Sequence, residues 1–243
     1  MPISSTSLFH FTPKLSYLED ILRSGFWPRY CIEYGWRNKY IDFALPMVCF
    51  CDIPLTQIKE HTDFYGNFGI GVSAEWIRHN KDITPVQYIS LGSQEFKLIG
   101  TLLTKLKNNT ITKSEIHKLQ LAKKVSGKSI RKKGKKGKNE KSLNKKFYNE
   151  REWRYVPTMD NSEQLILPVD KHSTFDIKEL SKKTECQKLE LHIADIRHLI
   201  IPRESYRRKL IKSIKSIYST EASTNIDILI SKITSLKQID EDF

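Results

Sequence analysis

The stretch Glu150-Arg151-Glu152-Trp153-Arg154-Tyr155 has the residue types and spacing best suited to chemistry. Read as a strand, it sets Glu150, Glu152 and Arg154 on one face and Arg151, Trp153 and Tyr155 on the other. Two carboxylates held side by side raise the proton affinity of one of them. Beside a guanidinium, such a pair can polarise a hydroxyl or steady a cationic sugar. The same pattern also describes a surface strand with cross-strand ion pairs, and composition does not separate the two. His10 on a short apolar strand, and Tyr65 ahead of a strand of small residues, complete the constellation.

Other reaction classes find little support. Gly69-Ile70-Gly71 lacks the third glycine and the lysine of phosphate-cradling loops. No nucleophile elbow and no HExxH pair is present. Cys49, Cys51, His10 and His61 could gather around zinc, but a Cys-x-Cys pair alone is weak, and buried free cysteines on a strand are the simpler reading. No metal is therefore expected. Four cysteines in 243 residues are too few for a disulfide scaffold, which points to a reduced, cytoplasmic protein. No run approaches the roughly 20 apolar residues of a membrane span, and the first residues show neither a basic nor an apolar leader region.

The formal net charge of +13 is unevenly placed. From Lys123 to Lys146 there are 12 Lys and Arg against one acid, Glu140, a net of +11. The totals of 41 bases and 28 acids leave 29 and 27 elsewhere, a net of +2. A nearly neutral globule thus carries one strongly basic segment. Nucleic-acid phosphate is its natural counter-charge, met without sequence preference and in a salt-sensitive way. Lys128, Arg131, Lys132, Lys133, Lys135, Lys136 and Lys138 are the expected contacts, with RNA favoured over DNA. The run has no interleaved aromatics for stacking on bases and no apolar face for a membrane.

The elements that must position these groups follow from local pattern. Leu8 to Phe11 reads as a strand, and Tyr17, Leu18, Ile21 and Leu22 recur at helical spacing before a capping Gly25. Met47 to Cys51, Phe68 to Val72 and Thr84 to Ser90 read as strands, and Leu55 to Thr62 as a short helix. Gly69 and Gly71 would admit a close-approaching backbone or ligand. Ser73 can cap a helix over Ala74 to His79. Ser93 to Leu106 and Thr112 to Lys124 read as helices, the second with Glu115 at capping-box spacing. Gly127 to Lys146 has no apolar periodicity and reads as a mobile loop. Leu189 to Ile193, His198 to Ile201 and Ile226 to Ile230 look strand-like around a basic helix, Glu204 to Tyr218. Strands, a helical insertion and strands again give an α+β class. The expected organisation is one domain, 1–243, with an insertion at 93–146 ending in a basic loop at 126–146.

Two resemblances sharpen this. Phe9-His10-Phe11-Thr12, Ile21 through Cys31, Cys49 through Leu55, Tyr65 through Gly71 and Glu150 through Arg154 together resemble, in order, the AbiGi family of abortive phage-infection proteins. That family is usually described as the antitoxin partner of a nucleotidyltransferase-like toxin, so the resemblance implies phage defence and a cognate toxin or antitoxin partner. His10-Phe11-Thr12 followed by Ile21-Leu22-Arg23-Ser24-Gly25 also resembles ADP-ribosyltransferases of the DarT kind. This second resemblance implies a split pair of small sheets with flanking helices, and NAD as co-substrate. It implies that His10 contacts the ribose, Thr12 joins the cofactor site, Tyr65 stacks on nicotinamide and Arg29 meets the pyrophosphate. Glu152, with Glu150 assisting, would stabilise the oxocarbenium-like sugar, a charge that appears only in the transition state. The expected function is a phage-defence effector that ADP-ribosylates nucleic acid; the alternative is a non-catalytic AbiGi-type antitoxin.

Overall fold

A computed structural model describes residues 5–33, 36, 42–131, 141–158, 166–169 and 176–242. In chain order it begins with β1 (Leu8–Thr12), α1 (Leu15–Ser24), β2 (Arg29–Glu33), β3 (Asp42–Cys51), α2 (Lys59–Tyr65), β4 (Phe68–Val72) and α3 (Ala74–His79). The middle holds β5 (Ile83–Pro85), β6 (Gln87–Ile89), α4 (Gln94–Lys107), α5 (Lys113–Leu121), β7 (Ala122–Lys124), β8 (Ser126–Arg131) and β9 (Lys141–Lys146). After these come β10 (Glu152–Tyr155), β11 (Leu167–Val169), α6 (Ile177–Lys182), β12 (Ile196–Ile201), α7 (Arg207–Ile217), α8 (Ser223–Ser231), β13 (Ile233–Ser235) and α9 (Leu236–Asp242). The class is α+β. The chain divides into two compact units: Met1–Trp27, Cys49–Ile83 and Gln187–Phe243 form one, Pro28–Val48 and Thr84–Cys186 the other.

The first unit is built on antiparallel β1–β4 and β4–β12 pairs, with β13 parallel to β12. Phe9 and Phe11 alternate onto one face, where they join Cys51, Ile53, Ile58, Ile200 and Ile239 in an apolar cluster. The small residues of β4 leave room for those rings. A Cβ on Gly69 would lie 2.5 Å from the Phe11 ring, and one on Gly71 2.7 Å from the Phe9 ring. The close approach expected there is thus made by phenylalanines of the neighbouring strand. Gly25 closes α1 at φ 78°, where a Cβ would meet the Leu189 carbonyl oxygen at 2.1 Å, so only glycine fits. α7 packs beside α1: Ser213 Oγ donates to Glu19, and the Tyr218 hydroxyl donates to the Leu22 carbonyl.

In the second unit β3 pairs antiparallel with β2 and β11, and its sheet also includes β10 and β5. α4 and α5 supply an apolar layer through Phe96, Ile99, Leu102, Leu103, Leu106, Ile116 and Leu119, all buried. Ser93 caps α4, and Thr112 with Glu115 forms the full capping box of α5.

Four expectations give way, the first being the strand over Leu189 to Ile193, where Leu189 makes one isolated bridge to Phe26 and Ile193–Asp195 is a 3-10 turn. α5 stops at Leu121, and Ala122–Lys124 is a strand parallel to β6. Ser126–Arg131 and Lys141–Lys146 pair as an antiparallel hairpin from Ser126↔Lys146 to Arg131↔Lys141, not as an unstructured loop. Backbone ladder bonds form without apolar periodicity, which is why the composition gave no sign of it. Ile226 to Ile230 lies in helix α8 instead of a strand, because a short isoleucine-rich run does not by itself distinguish the two.

Candidate functional site: a buried ionic cluster

Around the expected carboxylates the backbone departs from simple alternation. Phe147–Glu150 is a single 3-10 turn, and Arg151 sits in the left-handed region at φ 44°. Glu150 thus ends the turn and the strand begins only at Glu152, so only Glu152 and Arg154 share a strand face. The expected three-residue face is corrected accordingly. Both glutamates nevertheless converge, at 3% and 5% exposure.

They are not alone there. The Arg154 side chain, fully buried, donates from Nε to Glu152 Oε1 at 2.6 Å, from Nη2 to Glu33 Oε1 at 2.5 Å and from Nη1 to the Gln120 carbonyl at 2.8 Å. Lys123 Nζ lies 3.0 Å from Glu152 Oε2, 3.5 Å from Glu33 and 3.9 Å from Glu150. Lys145 Nζ closes the set at 2.7 Å from Glu150 Oε1. Among the contacts of the described residues, three acids thus face three bases. The Tyr88 hydroxyl, from β6, accepts the Glu152 backbone N–H at 2.9 Å.

The electrostatics follow from burial. Desolvation works against the Lys123 charge, but Glu152 and Glu33 outweigh it and hold the lysine protonated well above its ordinary range. Burial, reinforced by the charges of Glu152 and Glu150, likewise pushes the Tyr88 phenol up and keeps it neutral. Isolated charges at this depth would be strongly unfavourable, whereas a closed set of pairs is tolerated. Both oxygens of Glu152 are engaged. An oxocarbenium stabiliser needs an oxygen facing the sugar, and here each one faces a cation of the same chain.

The remaining sequence candidates fall as follows. His10 and Thr12 on β1, and Tyr65 at the end of α2, belong to the first unit; Arg29 on β2, with Glu150 and Glu152, belongs to the second. The His10 ring lies edge-on to Phe26 and Phe50, and its Nδ1 is 2.7 Å from the Cys49 carbonyl, so neutral His10 donates there. Burial lowers its pKa, with that hydrogen bond opposing. The Thr12 hydroxyl donates to the Lys14 carbonyl. Tyr65 is exposed and packs against His61 at 4.6 Å between ring centres. Arg29 is exposed. Lys128 and Arg131 lie on β8, while Lys132, Lys133, Lys135, Lys136 and Lys138 lie outside the described residues. Cys49 is half-buried and Cys51 buried, and among the described residues no three His, Cys, Asp or Glu side chains gather as metal ligands.

Sequence reasoning missed Glu33, Lys123, Lys145, Tyr88 and Gln120 as parts of the cluster. Lys123 and Lys145 were counted in the basic run as solvated charge, and only the alternation of Glu152 with Arg154 hinted at an ion pair.

Fold and site together define an α+β protein whose best-placed carboxylates are bound up in a largely buried ion network. The family described as "Putative abortive phage resistance protein AbiGi, antitoxin" matches residues 24–202. An abortive phage resistance protein AbiGi from Lactococcus lactis subsp. cremoris is 30% identical over 228 residues, covering 83% of this chain and 90% of that relative. The chain belongs to the AbiGi family of abortive phage resistance proteins. No solved structure matches it. Among the described residues no helix is long and apolar enough to cross a membrane.

Proposed function

We propose that this protein serves phage defence as an antitoxin, binding a partner toxin and neutralising it without covalent chemistry of its own. The observation that carries this reading is the closure of the Glu150–Glu152 pair by Arg154, Lys123 and Lys145. Electrostatic catalysis requires groups aimed at charge that develops on a substrate. A carboxylate with both oxygens engaged by buried cations serves the fold instead. The family's description as an antitoxin supports the same reading.

The competing proposal is the NAD-dependent transferase, in which His10, Thr12, Arg29 and Tyr65 bind NAD and Glu152 acts on the sugar. One experiment separates them. Purified protein is incubated with labelled NAD and RNA or DNA, and separately passed over an immobilised candidate partner toxin. The antitoxin reading expects toxin capture and no label transfer. Label transfer that disappears in a folded Glu152→Gln variant would establish the transferase.

A further inference from the structure

The outer face of α7 carries the second concentration of charge in this molecule. Leu210 and Ile214 are fully buried and fix the helix to the first unit, aided by Ser213 and Tyr218. On the opposite side Arg208, Lys209, Lys212 and Lys215 are all exposed. At 3.6 residues per turn, positions 208, 212 and 215 fall in one row, spanning about 10 Å along the axis.

The absence of acids on this face is informative. A helix face that is merely solvated mixes signs, because opposite charges three or four residues apart stabilise it and like charges destabilise it. α7 contains no Asp or Glu, and none of the four exposed cations pairs with an acid among the described residues. Helix repulsion is thus retained where a glutamate at position 212 would relieve it. Arg207, on the inner side, behaves differently: Glu204 accepts from its Nε at 2.6 Å and the Ile233 carbonyl from its Nη1 at 2.9 Å. Arg207 here and Lys123 in the ionic cluster each lie against a carboxylate. The four outer bases do not, among the described residues.

We infer that the outer face of α7 is a binding surface for the phosphate backbone of nucleic acid, held by a rigid row of Arg208, Lys212 and Lys215 with Lys209 beside it. A polyanion of regular charge spacing matches a straight row of cations on a fixed helix. With no aromatic side chain in the row, contact is to phosphate and carries no base preference. This surface is separate from the basic hairpin and does not depend on the antitoxin reading.

The test is a salt titration of binding to labelled single-stranded RNA and to duplex DNA, by fluorescence anisotropy, with the full chain. Four phosphate contacts contribute a slope of log K against log salt of about −2.8 for single strands and about −3.6 for B-DNA. From 50 to 200 mM salt that is roughly a 50-fold loss on RNA and roughly 150-fold on DNA. The combined Arg208→Gln, Lys209→Gln, Lys212→Gln and Lys215→Gln variant should lose that share of the slope, while its circular dichroism stays unchanged. If the combined variant misfolds, single Lys212→Gln should still flatten the slope by about 0.7 on RNA. The RNA and DNA arms identify which polyanion is preferred. An unchanged slope in the variant overturns the assignment, as does failure of the native chain to bind either nucleic acid at 50 mM salt. Loss of toxin capture with nucleic-acid binding intact would overturn it in favour of an acidic protein surface.

Discussion

The ionic cluster of the second unit and the outer face of α7 in the first use the same side chains for opposite ends. In the cluster, Lys123, Lys145 and Arg154 lie against Glu33, Glu150 and Glu152, buried or half-buried and in opposite-charge contact. On α7, Arg208, Lys209, Lys212 and Lys215 stand exposed with no acid among them. The difference teaches that a count of basic residues says little until each is assigned a neighbour. Lys123 and Lys145 of the sequence's basic run are structural, while a helix outside that run presents four cations with no acid against them among the described residues.

The comparison can be broken at several points. Arg154→Ala should be the most damaging change, because it removes a fully buried guanidinium and leaves Glu33 and Glu152 to share Lys123. A loss of about 3–5 kcal/mol is expected, read from urea unfolding. A loss below about 1 kcal/mol would mean that water or rearrangement replaces the guanidinium, and the cluster is no structural lock. Ile214→Ala attacks the other region from its inner side, removing a fully buried anchor of α7. It should cost about 2–5 kcal/mol.

A milder effect comes from His10, whose pKa is lowered in the folded state by burial. The unfolded chain then binds the extra proton more readily, so stability is full above about pH 6.5 and declines as pH falls through the window below it. His198, also lowered mainly by burial, adds a decline of the same sign. The melting temperature should therefore drop from pH 7 to pH 5, and His10→Asn, which retains a donor to Cys49, should flatten part of that drop. An identical pH profile in the variant would remove His10 from the account. The smallest effect belongs to Lys212→Gln on α7, expected within about 0.5 kcal/mol of the native stability.

Local pattern made parts of both units legible. The apolar spacing of α1 and its capping Gly25, the Ser73 cap and the Thr112–Glu115 box are all short-range signals, and each is present. Short apolar runs were not, as Ile226 to Ile230 shows. The site was harder for a plainer reason. Glu33 and Arg154 are 121 residues apart, and Gln120 and Arg154 are 34 apart, so no spacing rule links them. Arg151 adopts a left-handed backbone that its residue type does not announce, and that one turn undid the expected face of Glu150, Glu152 and Arg154.

The central claim is that Glu150 and Glu152 hold the fold of an antitoxin. It is tested most directly by bacterial growth with the chain expressed alone and with a candidate partner toxin. Native protein should be harmless alone and should rescue growth in the presence of the toxin. Growth arrest by the native chain alone, abolished by a folded Glu152→Gln variant, would contradict the account and make the carboxylate an effector of chemistry.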